Sequence, residues 1–207
     1  LLNHIDIRPE NINFPDGTLA REELPAFCAN YGKEKIDLMI IGVGEQGQLG
    51  FNEAGSHAKS NTRLVQLSYK ARKAQAGGFH GLEHTPKMAI TMGINTILGA
   101  ERIILMAWGE DKAGVVNSIV EGEITDQIPA SHLQLHDNIE VVIDEGAASQ
   151  LTRVQTPWLV GSCQWTPKFT RKAVVWLCGV VNKPILKLTH KDYIENSLGE
   201  LLEQGRT

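Results

Sequence analysis

The residues with the clearest chemical potential are gathered in one stretch. Residues 37–56 read Asp-Leu-Met-Ile-Ile-Gly-Val-Gly-Glu-Gln-Gly-Gln-Leu-Gly-Phe-Asn-Glu-Ala-Gly-Ser, an apolar run that breaks into Gly42, Gly44, Gly47 and Gly50 and ends in a polar tip with Asn52 and Glu53. Glycines let the backbone approach a bound molecule without a Cβ in the way, so the stretch reads as a ligand-binding loop. An ordinary turn between a strand and a helix has the same pattern. The stretch has neither the Lys-Ser/Thr ending of a P-loop nor a clean dinucleotide fingerprint.

Outside this loop the candidates are sparser. Lys112 follows Gly109-Glu110-Asp111 at the start of a helical segment, where an ammonium and free backbone N–H groups could meet a phosphate; a surface lysine is the alternative. Among seven histidines, His80/His84 and His132/His136 are spaced four apart, but neither pair carries a Glu in an HExxH frame, and no metal is expected. Asp144-Glu145 suit either paired carboxylates or the start of a helix. The three cysteines, Cys28, Cys163 and Cys178, are far apart and form no CxxC pair, which fits buried thiols in a reducing, cytoplasmic setting.

The loop needs a strand to deliver it, and residues 38–41 supply one. In an open α/β sheet, ligands gather at the carboxyl ends of parallel strands. Further strands are expected at residues 63–67, 88–92, 102–108 and 140–143. Helices are expected at residues 21–31 (stopped by Gly32), 69–75, 110–120 and 146–152, with a turn and short helix over 93–98. This alternation predicts an α/β fold with a Rossmann-like, doubly wound and mainly parallel sheet. From residue 153 the composition changes. Trp158 and Trp165 flank a short connection, Thr166-Pro167 opens a helix that stops before Pro184, and a last helix is expected over residues 191–203. The reading is therefore a sheet domain at 1–152 and a helical extension at 153–207.

Bulk properties agree with an ordinary globular chain. It has 207 residues, 42% hydrophobic and 21% charged, with a net charge of −4. Residues 1–152 hold 12 Lys+Arg against 20 Asp+Glu, a balance of −8, and residues 153–207 hold 8 against 4, a balance of +4. No basic cluster interleaves with aromatics, which argues against nucleic acid, and no apolar run approaches the ~20 residues of a membrane helix. The chain opens on Leu1 without the basic start and apolar core of a signal peptide, and reads as the continuation of something upstream.

Several stretches together resemble the glucosamine-6-phosphate deaminase (isomerase) family: residues 6–13, 41–56 with Phe51-Asn52-Glu53, 86–100, 108–122, and 131–145 with Leu133-Gln134-Leu135-His136 and Asp144-Glu145. The related 6-phosphogluconolactonases share the glycine loop but lack the Phe-Asn-Glu. The resemblance implies conversion of an aminosugar phosphate, glucosamine 6-phosphate, to fructose 6-phosphate and ammonia, without metal or organic cofactor, by a cytoplasmic homo-oligomer whose partner is a small phosphosugar.

It also implies a site. Ring opening in the family uses a histidine steered by an aspartate and a glutamate; those positions are Gln48, Gln46 and Glu53 here. Gly44, Gly47, Asn52 and Lys112 fall on substrate positions, with Lys112 on phosphate. The family's phosphate arginine aligns near Gly77, with Arg72 as a nearby substitute. Arg63 matches a position used by an allosteric aminosugar phosphate in some members. A glutamine amide can hold a sugar hydroxyl but cannot exchange a proton near pH 7, so the resemblance implies altered chemistry.

Overall fold

The computed structural model describes residues 2–20, 22–31 and 35–204. Arg21 and the Gly32 stop of the expected first helix lie outside them, as does Leu1. Contacts divide the chain into two compact units, Leu1–Ala147 and Ala148–Thr207.

The first unit opens with short 3-10 turns and helix α1 (Leu24–Asn30). Strand β1 (Leu38–Gly42) follows and delivers the glycine loop. After the loop come β2 (Arg63–Gln66), α2 (Tyr69–Gln75), β3 (Met88–Thr91), α3 (Ile94–Leu98) and β4 (Arg102–Ala107). A 3-10 turn at Glu110–Lys112 then leads into α4 (Ala113–Val120), and a longer one at Pro129–Leu135 leads to β5 (Ile139–Ile143) and α5 (Glu145–Ala148). Strands β1, β4 and β5 form a three-stranded parallel sheet in the order β1-β4-β5, with Ile40 beside Ile104 and Leu105 beside Val141. Their alternation sends Ile103, Leu105 and Ala107 of the central strand into the core, which also holds Ile94, Ile97, Val116, Ile119 and Leu133. On the opposite face Leu38, Ile40 and Met106 stand exposed, Ile40 at 61%.

Two expected strands are arranged differently from the alternating pattern. β2 and β3 pair with each other, antiparallel, as a separate ribbon with Arg63 beside Thr91 and Gln66 beside Met88. The stretch between them folds back as α2, capped by the Ser68 hydroxyl, and the 3-10 turn Ala76–Phe79, so the second strand returns alongside the first. The expected helix at 146–152 is also shorter, reduced to α5.

The second unit is helical: α6 (Thr152–Gln155), α7 (Pro167–Val181), α8 (His190–Glu195) and α9 (Gly199–Gln204). Thr166 accepts from the Phe169 N–H to start α7, Pro167 takes a first-turn position, and Asn182 at φ 50° ends the helix in the left-handed region. Trp158, Ala173, Leu177 and Leu198 form its core, with Phe169 and Trp176 edge-on to Trp158. The single helix expected over 191–203 is broken. Ser197 adopts φ 61° and the Leu198 N–H bonds to the Tyr193 carbonyl, turning the fully buried Leu198 into the core.

Candidate functional site

The glycine loop leaves the carboxyl end of β1 and has two halves of different construction. In the first, the Gly44 N–H donates to the Gln48 carbonyl and the Gly47 N–H to the Gly44 carbonyl, making a tight turn. Gln48 folds its side chain over this turn, and its Oε1 accepts the Gln46 N–H at 3.0 Å. Gln46 itself is exposed. Gly47 sits at φ +75°, and a Cβ there would lie 2.5 Å from Ile128 Cγ2, so both the backbone angle and the close approach call for glycine. The N–H groups of Gly44 and Gly47 are engaged inside the turn. The places of the absent side chains are filled by neighbours, the Gln48 amide over Gly44 and Ile128 over Gly47, so both glycines serve the packing of the turn.

The second half is tied to distant parts of the chain. Asn52 is 0% exposed; its Nδ2 donates to the Leu49 carbonyl at 2.9 Å and to the Met92 carbonyl at 2.6 Å. Its Oδ1 accepts from Arg63 Nη1 at 2.9 Å, while Arg63 Nη2 donates to Ser56 Oγ at 3.2 Å. Burial lowers the Arg63 pKa, since desolvation disfavours the charged guanidinium. The sequence reading puts Asn52 on substrate, whereas its burial puts it behind the loop as a brace. Glu53 emerges beside α2, where its carboxylate accepts the Ser68 hydroxyl at 2.6 Å and the Ser68 N–H at 3.3 Å. A polar recess of about 400 Å³ opens here, lined among others by Glu53, Ser56, His57, Ser60 and Arg63.

Lys112 stands beyond the carboxyl end of β4, the strand next to β1, so the sheet brings it to the same edge as the loop. Its ammonium lies 3.5 Å from the Asp111 carboxylate. The approach to it is fixed by Asp144 at the end of β5, whose carboxylate accepts the Ala147 N–H at 2.8 Å and the Gly109 N–H at 3.0 Å. Those backbone donors, Ala147 first and then Gly109, hold the Asp144 carboxyl below its usual range. Asp144 therefore serves as a helix cap and loop tie. Arg72, the substitute phosphate arginine, donates to the carbonyls of Leu82 and Thr85 and is committed to that turn. Gly77 lies in the 3-10 turn after α2.

The histidine pair at 132 and 136 does not converge on a common point. His132 is buried and pairs through Nε2 with Asp126 Oδ1 at 2.8 Å, while His136 meets the Ala100 carbonyl. Among the described residues, no group of three or more His, Cys, Asp or Glu is placed to hold a metal ion. No helix there is long and apolar enough to cross a membrane. Sequence reasoning missed the Asp126–His132 pair and the Arg63–Asn52 contact. Only the spacing of His132 and His136 drew attention to the former.

Comparison with known proteins fits this geometry. Residues 16–143 match the family model described as glucosamine-6-phosphate isomerases/6-phosphogluconolactonase. A glucosamine-6-phosphate deaminase-like protein of Bacteroides thetaiotaomicron is 49% identical over 207 residues, covering 98% of this chain and 31% of its own length. A glucosamine-6-phosphate deaminase of Clostridioides difficile is 38% identical over 156 residues, 73% of this chain and 62% of the relative. The chain thus spans less than two thirds of the length of these relatives. Among solved structures, a monomeric glucosamine-6-phosphate deaminase superposes with a TM-score of 0.66 at 39% identity, covering 72% of this chain and 63% of that one. The parallel sheet with its flanking helices is the Rossmann-like fold expected from the sequence. The chain belongs to the glucosamine-6-phosphate isomerase/6-phosphogluconolactonase family.

Proposed function

We propose that the chain is the phosphosugar-handling part of a glucosamine-6-phosphate isomerase/deaminase-type protein whose ring-opening step is impaired. In this reading Lys112 balances the substrate phosphate, Gly44 and Gly47 form the tight turn that presents the loop to the sugar, and Asn52 holds the loop from behind. Glu53 supplies the remaining acid–base group. The observation that carries the impairment is the Gln48 amide, turned back onto the Gln46 N–H where a titrating pair would serve ring opening. Neither glutamine exchanges protons near neutrality, and losing a general acid–base group costs roughly 10²–10⁴ in rate. Residues 153–207 are read as a separate helical extension.

A second reading is a sugar-phosphate-binding domain without turnover. The recess beside Glu53 favours it, because Arg63, Ser56 and Ser60 gather donors for a polar anion around it. A coupled ammonia-release assay with glucosamine 6-phosphate, run beside a Gln46→Asp/Gln48→His double variant, separates the two. Restored chemistry should raise turnover by about 10². Wild-type turnover within about tenfold of the variant overturns the impairment. A thermal shift of the 207-residue chain with this ligand, and turnover in neither protein, supports the binding domain.

Self-association is supported by Leu38, Ile40 and Met106, exposed on one face of the sheet, and by β1 standing at the sheet's edge among the described residues. The relative of known structure is described as monomeric. Light scattering on the chain decides: a monomer at micromolar concentration removes the homo-oligomer.

A further inference from the structure

We infer that Asp126 and His132 are positioning residues that hold the glycine loop in shape at its middle and its far end. The inference rests on reading residues 43–56 as the ligand loop. Segment 125–132 touches that loop at two places. The Ala130 N–H donates to the Gly47 carbonyl at 2.9 Å, and the Gly55 N–H donates to the Asp126 carbonyl at 2.7 Å. Ile128 lies against the Cα of Gly47 between these two points. The loop can keep its form only as far as segment 125–132 keeps its own.

Two side chains close that segment on itself. Ser131 Oγ accepts the Thr125 N–H at 2.8 Å and donates to the Thr125 carbonyl at 3.1 Å. His132 reaches back six residues to Asp126, with Nε2 at 2.8 Å from Oδ1. The ring is only 6% exposed, and its Nδ1 is enclosed without a partner, so the Asp126 bond is what fixes its orientation. The Asp126 carboxylate is 40% exposed and the ring buried, so the bond is screened from the carboxylate side, yet a hydrogen bond to a charged group is among the stronger contacts a side chain makes. Asp126 joins the two functions: its carboxylate is held by His132 while its own carbonyl holds Gly55. Releasing the carboxylate frees the residue that anchors the far end of the loop.

Amide hydrogen exchange on the 207-residue chain tests the brace without needing any ligand. In His132→Ala and Asp126→Ala, exchange at Gly55 should speed up about tenfold or more, while the Leu105 amide in the central strand stays within about twofold of wild type. His132→Gln, whose amide can donate to Asp126, should recover most of the protection. Equal acceleration at Gly55 and Leu105 would mark a merely structural pair and overturn the inference, as would unchanged exchange at Gly55. Calorimetric titration with glucosamine 6-phosphate adds the second arm. Where the wild type binds, the two loosened variants should lose about tenfold in affinity and His132→Gln should not; equal affinity in all four proteins overturns the positioning role. A wild type that binds nothing overturns the phosphosugar reading and leaves the exchange result to decide the brace.

Discussion

The two halves of the glycine loop solve the same problem by opposite means. Around Gln46 and Gln48 the side-chain contact is local, the Gln48 amide accepting the Gln46 N–H, and the Gly47 carbonyl makes the long-range bond, to Ala130. Around Asn52 and Glu53 they bond to Met92, Arg63 and Ser68, which belong to other elements. The side chains of the first half are therefore held locally, and its link to the rest of the fold runs through the backbone of Gly47. The second half is anchored in the fold by its side chains. A surface turn can change its chemistry without changing the fold, whereas Asn52 could be replaced only by a residue that serves several partners at once.

Breaking the anchored half should cost most. Asn52→Ala removes three hydrogen bonds from a fully buried position and leaves the Met92 carbonyl and the Arg63 guanidinium short of a partner, so urea denaturation should register a loss of about 3 kcal/mol. Gly47→Ala tests the point where the local half meets segment 125–132. A Cβ at φ +75° pressed against Ile128 should cost about 2 kcal/mol by the same measurement, and Ile128→Ala in the same chain should recover the steric part of that loss.

Glu53→Ala removes the contact to Ser68 at the start of α2, with an expected loss of about 1 kcal/mol, together with loss of any ammonia release that the wild type performs. Gln46→Ala, at an exposed side chain, should change stability by less than about 0.5 kcal/mol. A Gln46→Ala effect as large as that of Asn52→Ala would erase the contrast between the halves.

Much of this was legible before any coordinates. The strand at 38–42, the glycine turn after it, the strand at 102–107 and the helix opened by Thr166-Pro167 all rest on local patterns: apolar runs, glycine punctuation, a capping residue before a proline. Glu53 and Lys112 could be singled out for the same reason, since each follows a recognisable strand end. The antiparallel pairing of β2 with β3 was not legible, because a four-residue strand carries no sign of which partner it will meet. Nor was the break at Ser197. Residues 191–203 are good helix formers, and only the packing of Leu198 beside Leu177 and Trp158 in one core explains why the helix is interrupted.

Sequence alone determined that an α/β chain carries a glycine loop ending in Asn52 and Glu53, with two non-titrating glutamines, Gln46 and Gln48, in its first half. Those are properties of residue type and short-range order. Tertiary structure decided that Asn52 is a buried brace, that Arg72 is committed to its own turn, and that Asp126 and His132 close a clasp beside the loop. Each of these depends on what the fold brings next to a side chain. Met92 lies 40 residues from Asn52, and such contacts are set by the packing of whole elements, with no local pattern to announce them.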